Sequence, residues 1–190
     1  MTRVLGVDPG LARTGIALVD GAAGRLLLEH VGLLETIPQT SEAARLANLY
    51  ELMLDACAAL RPDVAAVEEL FFSTNRRTAM RVSEARGVIL CALARARVTV
   101  AEYTPTQVKE AVCGYGAARK PQVQRATAKL LNRSDLAGED DRADACAVAV
   151  CHHHRAALST LVGRRRQAVP AGRLDAAISK ARARVASALR

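Results

Sequence analysis

The sequence has few aromatic residues and no tryptophan, and phenylalanine and tyrosine together make up only 3% of it. Because hydrophobic residues still amount to 51%, the core has to be built from alanine, valine and leucine. No apolar run reaches the roughly 18 residues that a transmembrane helix needs. The first apolar run is too short for a signal peptide, because it ends at Asp8. We therefore expect no membrane partner.

The sequence also lacks cysteine pairs with the spacing of metal or redox sites. The five cysteines are an odd number, lie far apart and include no Cys-x-x-Cys pair; they are Cys57, Cys91, Cys113, Cys146 and Cys151. This pattern is typical of reduced thiols in a protein core. We therefore expect a cytoplasmic protein.

Basic residues are concentrated at the end of the chain. The net charge is +8, and residues 164–190 contain eight basic residues against Asp175, so that residues 1–163 are almost neutral. Such a cluster favours a polyanion such as nucleic acid, with an anionic membrane surface as the competing partner. The length allows one compact domain plus an appendage. We assign residues 1–158 to the domain and 159–190 to a basic tail, with a linker at 163–172.

The apolar periodicity predicts a mixed five-stranded sheet flanked by helices, which is an α/β architecture. Three short runs with tight links indicate an antiparallel meander, and two further strands alternate with helices. The predicted strands are residues 4–7, 14–19, 25–34, 64–67 and 98–101. The predicted helices are residues 41–60, 75–97, 105–112, 120–131 and 140–158.

Acidic residues follow two of these strands at the point where each strand ends. Asp8 ends the first strand and enters a Pro-Gly turn, and Glu68 follows the strand at 64–67. If these strands are neighbours, both carboxylates emerge at the same edge of the sheet. Asp141 and Asp144 are spaced i, i+3 at the start of a helix, which places both on one helix face. Oxygen ligands of this kind suit Mg²⁺ or Mn²⁺ rather than Zn²⁺.

Each of these acids also has a purely structural explanation. An aspartate before Pro-Gly often bonds its own backbone in a turn. Acidic residues in the first turn of a helix stabilise it by capping and through the helix dipole. Four convergent carboxylates repel one another unless a cation is present. The residues alone therefore leave metal ligation and ordinary capping both open.

Three consecutive histidines, His152, His153 and His154, do not predict a metal site. Neighbouring residues on a helix point in different directions, so that the three rings cannot share one ion. We expect them to lie near the C-terminus of the last predicted helix, where histidines interact favourably with the helix dipole.

Four motifs follow one another along the chain. They are Gly6-Val7-Asp8-Pro9-Gly10 with Thr14-Gly15, then Ala66-Val67-Glu68-Glu69-Leu70-Phe71, then Gln107-Val108-Lys109 with Gly114, Gly116 and Lys120-x-Gln122-Val123, and Asp141-x-x-Asp144-Ala145. In this order and spacing they resemble the RuvC family of bacterial Holliday-junction resolvases, from residue 3 to about residue 157. The resemblance implies a ribonuclease-H-like fold and a homodimer that resolves four-way DNA junctions by paired symmetric nicks, in homologous recombination and DNA repair.

The resemblance also implies a role for each matched residue. The catalytic acids and ligands of two Mg²⁺ ions per subunit, with Mn²⁺ as a substitute, would be Asp8, Glu68, Asp141 and Asp144. By position, Glu69 and Asp140 would be neighbours of the site and not part of it. The DNA-binding candidates are Lys109, Lys120, Phe71, Phe72, Asn75, Arg76 and Arg119. Without the resemblance, the lysines would be read as solvated and one phenylalanine ring as part of the core.

Two partners follow by family analogy. The branch-migration complex RuvA–RuvB is one, and a second copy of the chain is the other, because two symmetric cuts need two active sites. The helix at 75–97 is a candidate dimer contact, although burial within one subunit explains its apolar residues equally well. The residues concerned are Ala79, Val82, Ala85, Val88 and Ile89, with Gly87 allowing close approach.

Three other functions remain as alternatives. A related ribonuclease-H-like nuclease that acts on RNA or on RNA–DNA hybrids would keep the same acids. An actin-like ATPase or sugar kinase also begins with an aspartate before a Gly-rich turn, but it needs a second phosphate loop that 190 residues do not supply. A junction-binding protein without catalysis is the third, and the presence of all four acids argues against it.

Overall fold

Five strands form one mixed sheet in the computed structural model, which describes residues 1–22, 24–69, 76–136 and 140–168, with the backbone alone at 76, 77 and 159–168. The strands are β1 (Thr2–Asp8), β2 (Arg13–Ala22), β3 (Arg25–Glu35), β4 (Val64–Glu68) and β5 (Thr99–Tyr103). Their order across the sheet is β3-β2-β1-β4-β5. The first three strands are antiparallel, whereas β4 and β5 run parallel to β1. The predicted meander and the α/β class are confirmed.

The helices begin where the sequence supplies a cap. The Ser41 hydroxyl accepts a hydrogen bond from the Ala44 N–H, and Thr104 and Gln107 form a reciprocal capping box. The helices are α1 (Glu42–Leu60), α2 (Arg76–Arg95), α3 (Pro105–Cys113), α4 (Lys120–Leu130) and α5 (Asp140–Ala168). A 3-10 turn at Ser134–Leu136, which periodicity did not predict, joins the last two.

The alternation of side chains along the strands divides the core into two layers. In β1, Leu5 and Val7 pack with α1 and α2, whereas Val4 packs with α3, α4 and α5. The same alternation in β4 places Ala65 and Val67 on the first side and Ala66 on the second. The sheet is therefore covered on both faces, and the side chain of each residue is assigned to a layer by its place in the strand.

Two glycines let α5 lie directly against the sheet. A Cβ at Gly6 would overlap the carbonyl oxygen of Ala145 and lie 2.8 Å from the backbone nitrogen of Ala149. A Cβ at Gly15 would overlap the carbonyl oxygen of Asp141. Since both contacts are with helix backbone, no rotamer change of a side chain could relieve them. The two glycines fix how close the first turns of α5 come to β1 and β2.

The end of α5 corrects two predictions, that the helix ends at residue 158 and that a linker begins at residue 163. The helix continues to Ala168, so that residues 163–168, which we predicted as part of a linker, are helical. Their side chains are mainly arginine, glutamine and alanine, which are good helix formers, and Gly163 is the one unfavourable residue. Residues 1–155 form one compact unit, and residues 156–190 form a second.

The histidines lie in the middle of α5 and not near its C-terminus, because the helix is longer than predicted. His152 Nδ1 is 2.9 Å from the Tyr103 hydroxyl. His153 Nε2 is 3.0 Å from the carbonyl oxygen of Val19, and His154 Nδ1 is 2.8 Å from that of Ala111. Each ring therefore connects α5 to a different element, and their capping role was predicted wrongly.

Candidate active site

Asp8 and Glu68 lie side by side at the ends of neighbouring strands. β1 and β4 are paired in parallel as far as Val7 and Val67, so that the next residues, Asp8 and Glu68, end the two strands at the same level. Each acid follows by two positions a residue that faces α5, and it therefore faces α5 as well. The condition on which the sequence argument depended, that these two strands are neighbours, is therefore met.

The turn after Asp8 is held by Thr14. The buried Thr14 hydroxyl donates to the carbonyl oxygen of Gly10 at 2.7 Å and accepts from the Gly10 N–H at 3.3 Å. A side chain thus satisfies the backbone of the Pro-Gly turn. The Asp8 carboxylate is left without an ion pair or hydrogen bond among the described residues, so the turn-aspartate interpretation does not account for it.

Asp141 and Asp144 approach the same place from α5. The backbone of Asp141 packs on Gly15, which is the register partner of Asp8 on β2. Asp144 lines a cavity of about 230 Å³ together with Glu68, Lys109 and Lys120. The four predicted acids are therefore gathered where β1 and β4 meet the first turns of α5.

In the absence of a cation, burial and mutual repulsion raise the pKa of both strand-end acids into the neutral range. Burial, with the charges of Glu68, Asp144 and Asp141, raises the pKa of Asp8 to about 8. Burial, with the charge of Asp144, raises the pKa of Glu68 to about 7. Burial also raises the pKa of Asp144, although its hydrogen bond to Lys120 acts in the opposite direction. Burying carboxylates next to one another does not stabilise the fold, so a purely structural role does not explain this arrangement.

Two basic side chains form ion pairs with the acids of α5. Lys120 Nζ lies 2.9 Å from Oδ2 of Asp144 and 3.5 Å from Oδ2 of Asp140. Arg13 Nε lies 3.3 Å from Oδ2 of Asp141. Sequence reasoning missed the Arg13 contact, since no short-range pattern relates a residue of the first hairpin to the last helix.

Lys120 is placed against the preference of its own helix. It is the first residue of α4, where the helix dipole disfavours a positive charge. Partial burial acts to lower its pKa, but the hydrogen bonds and charges of Asp144 and Asp140 outweigh this and raise the pKa of Lys120. A lysine at this position is therefore explained by the acids it faces and not by helix stability.

The remaining candidate residues fall into two groups. Phe71, Phe72 and Asn75 lie outside the described residues, and Arg76 is described only as the first residue of α2. Arg119 is exposed beside Lys120, and its backbone N–H donates to the Gln122 side chain.

The two acids next to the site that the sequence analysis left out of it have contacts of their own. Asp140 accepts a hydrogen bond from the Gln124 side chain at 2.7 Å, which lowers the pKa of Asp140. Glu69 donates its N–H to the carbonyl oxygen of Tyr103.

The donor set fits a hard divalent cation. It contains carboxylate oxygens and no sulfur or imidazole, which is the chemistry that Mg²⁺ and Mn²⁺ prefer. Asp8 and Glu68 have no ion pair among the described residues, and a bound cation would stabilise their ionised forms and so lower their raised pKa values. Within the described ranges, no three carboxylate, imidazole or thiol groups are already arranged to hold one ion. In this arrangement one oxygen of Asp141 is engaged by Arg13 and one oxygen of Asp144 by Lys120.

The contribution of Asp8 and Glu68 to the stability of the metal-free protein is expected to fall as pH rises from about 5 to about 8. Over this range the two acids lose their protons in the folded chain, whereas they are already ionised in the unfolded chain. At these two groups the folded state binds more protons, and raising the pH therefore favours the unfolded state.

Thermal melting in EDTA checks this expectation. The melting temperature of Asp8→Asn minus that of the wild type should grow between pH 5 and pH 8 and level off above about pH 8. A difference that stays constant or shrinks over this range would show that Asp8 is not held protonated. Saturating Mg²⁺ should reverse the trend in the wild type only.

Comparison with known proteins agrees with this geometry. The family model described as crossover junction endodeoxyribonuclease RuvC matches residues 4–152. The protein of that name from Syntrophomonas wolfei is 45% identical over 160 residues, which are 84% of this chain and 93% of the relative. The one from Chloroflexus aggregans is 46% identical over 154 residues, which are 81% and 94%.

A solved structure of Thermus thermophilus RuvC in complex with Holliday junction substrate is also similar. It matches with a TM-score of 0.78 and 32% identity, over 84% of this chain and 98% of that one. The yeast mitochondrial resolvase Ydc2, at 14% identity and a TM-score of 0.55, shares the fold. A five-stranded mixed sheet of this order, with carboxylates at the ends of its central strands, defines a ribonuclease-H-like nuclease. The chain belongs to the RuvC family of crossover junction endodeoxyribonucleases.

Proposed function

We propose that this protein resolves four-way DNA junctions by two symmetric nicks, in homologous recombination and DNA repair. The observation that carries the proposal is the convergence of Asp8, Glu68, Asp141 and Asp144, two of which, Glu68 and Asp144, line one cavity with Lys109 and Lys120. The solved relative from T. thermophilus is in complex with a Holliday junction, which supports the same substrate here. The products carry 5′-phosphate and 3′-hydroxyl ends and can be ligated.

The four acids are proposed to hold two Mg²⁺ ions, with Mn²⁺ able to substitute. When bound, two such ions would activate a water for in-line attack and stabilise the charge on the leaving 3′ oxygen. Asp8, at the end of the central strand, would be a central ligand of the site. Glu68 lies beside it on β4, and Asp141 and Asp144 close the set from α5. Each acid comes from a rigid element, which favours a fixed arrangement.

Lys109 and Lys120 are proposed to bind the phosphates of the cleaved strand. Both line the cavity that contains Glu68 and Asp144, and their charges act on Glu68 to lower its pKa. A lysine beside the scissile phosphate also offsets the charge that develops during attack. Arg119, exposed next to Lys120, would extend this positive surface. Phe71 is proposed to stack on a base, and Phe72, Asn75 and Arg76 to contact DNA, on the family resemblance.

A homodimer is proposed, with a groove between α1 and α2 as the contact surface. The groove has a volume of about 600 Å³ and is lined largely by apolar atoms. Gly87 and Val88 line it, and a Cβ at Gly87 would meet no atom of the described residues within 4 Å. Two of the residues we considered for this contact are excluded, because Ala85 and Ile89 are buried in the core of their own subunit.

Gly87→Arg is expected to convert a dimer into a monomer. A long cation in the apolar groove would prevent close approach of a second copy, and its Cβ would lie in open space among the described residues. Sedimentation velocity measures the change directly. Ala59→Arg, at an exposed position on another face of α1, should leave the dimer intact. If Gly87→Arg remains a dimer, the contact surface lies elsewhere.

Two further proposals concern the partners and the location of the protein. RuvA and RuvB are proposed as partners, since the branch-migration complex works with this class of enzyme. The cytoplasm is proposed as the location, because the substrate is chromosomal DNA and the five cysteines are free thiols. No helix in the described part of the chain is long and apolar enough to span a membrane.

The proposal is tested by comparing three substrates with and without Mg²⁺. A synthetic four-way junction should be cut in paired strands, whereas a linear duplex and an RNA–DNA hybrid of the same sequence should remain intact. EDTA should abolish cutting. Preferred cleavage of the hybrid would favour the related ribonuclease-H-like activity, and cutting that requires ATP would favour the ATPase class.

A further inference from the structure

Arg13 lies on the same face of the sheet as the acids, although none of the four sequence motifs includes it. It is the first residue of β2, two positions before Gly15. Side chains two positions apart on a strand point to the same face, and Gly15 faces the backbone of Asp141. The strand therefore directs the Arg13 side chain toward the first turn of α5.

The guanidinium of Arg13 is shared between two carboxylates. Its Nε lies 3.3 Å from Oδ2 of Asp141 and 3.6 Å from Oε1 of Glu35. Glu35 is the register partner of Arg13 on β3, so that the two side chains stay close even if α5 shifts relative to the sheet. A guanidinium has five N–H donors in a fixed plane, and it can keep one carboxylate while releasing the other.

The four acids differ in how their charge is balanced. Asp141 is paired with Arg13 and Asp144 with Lys120, whereas neither Asp8 nor Glu68 has an ion pair among the residues that the structure describes. A divalent ion that takes Oδ2 of Asp141 would compete with Arg13 for that oxygen. We propose that Arg13 is a positioning residue that holds Asp141 in the metal-free enzyme and passes to Glu35 when a divalent ion takes Asp141.

This inference rests on the proposed function, because it requires Asp141 to be a metal ligand. Its consequence is that removing Arg13 and removing Glu35 change the metal affinity in opposite directions. Removing Arg13 removes a competitor of the metal. Removing Glu35 leaves Arg13 with Asp141 as its remaining partner at this position and strengthens the competition.

Mn²⁺ binding to the full-length, DNA-free protein, measured by calorimetry at pH 8, tests the proposal. Arg13→Gln should tighten binding about threefold, which is the scale of one partly exposed ion pair. Glu35→Gln should weaken binding by a similar factor. In the Arg13→Gln background the Glu35→Gln change should have no further effect, because it acts through Arg13. Arg81→Gln, which removes the same charge from a remote pair with Glu42, should bind as the wild type does.

Two results would overturn the inference alone. One is an unchanged or weaker affinity in Arg13→Gln, which would make Arg13 a DNA contact or a structural residue. The other is an equal loss from Glu35→Gln in both backgrounds, which would indicate only a general effect of charge. A wild-type protein that binds no Mn²⁺ would overturn the proposed function and this inference together.

Discussion

Asp8→Asn lowers the rate of junction cleavage by at least about 1,000-fold and leaves junction binding within about threefold of the wild type. The cleavage rate falls because Asp8 ends the central strand and its charge interacts with all three other acids. Junction binding is retained because phosphate contacts from lysine and arginine supply most of the affinity for DNA.

Single-turnover cleavage and a gel-shift titration of the same junction separate the two effects. Asp63→Asn is the matched control, since Asp63 lies at the opposite end of β4 and accepts a hydrogen bond from the Arg3 N–H. That variant should cut at the wild-type rate. Cleavage by Asp8→Asn within tenfold of the wild type would remove Asp8 from the catalytic set.

Gly6→Ala is expected to lower the melting temperature by at least about 6 °C and to abolish cleavage. A single added methyl group would meet the backbone of α5 at Ala145 and Ala149, and the helix would have to move away from β1. Overpacking against backbone costs about 3 kcal/mol or more, and each kcal/mol corresponds to roughly 2–4 °C in a chain of this size. Because α5 carries Asp141 and Asp144, its displacement also separates the acids.

Differential scanning fluorimetry and the cleavage assay measure both consequences. Gly32→Ala is the matched control on β3, because its methyl group would meet only the end of the His30 side chain, which can move. It should change the melting temperature by no more than about 2 °C. A stable and active Gly6→Ala protein would show that α5 is not held as closely as described.

The sequence was sufficient to predict the elements that depend on local patterns. Strand ends are marked by an apolar run followed by an acid, as at Asp8 and Glu68, and the i, i+3 spacing of Asp141 and Asp144 follows from helix geometry. The predicted convergence needed one long-range assumption, that β1 and β4 are neighbours, and their pairing confirms it.

Features that depend on where α5 crosses the sheet were not predictable. The pairing of Arg13 with Asp141 joins residues far apart in sequence, and it is determined by the close packing at Gly15. The length of α5 was underestimated because one glycine at 163 was read as the start of a linker. The misplaced role of the histidines followed from that error, since their partners lie on β2, β5 and α3.

The most direct test of the account is a crystal of the protein grown with Mn²⁺ and measured at the manganese absorption edge. The account predicts two anomalous peaks per subunit, each about 2.0–2.3 Å from carboxylate oxygens, with Asp8, Glu68, Asp141 and Asp144 all serving as ligands. Peaks located elsewhere, or a bound ion from which Glu68 or Asp141 is turned away, would contradict it.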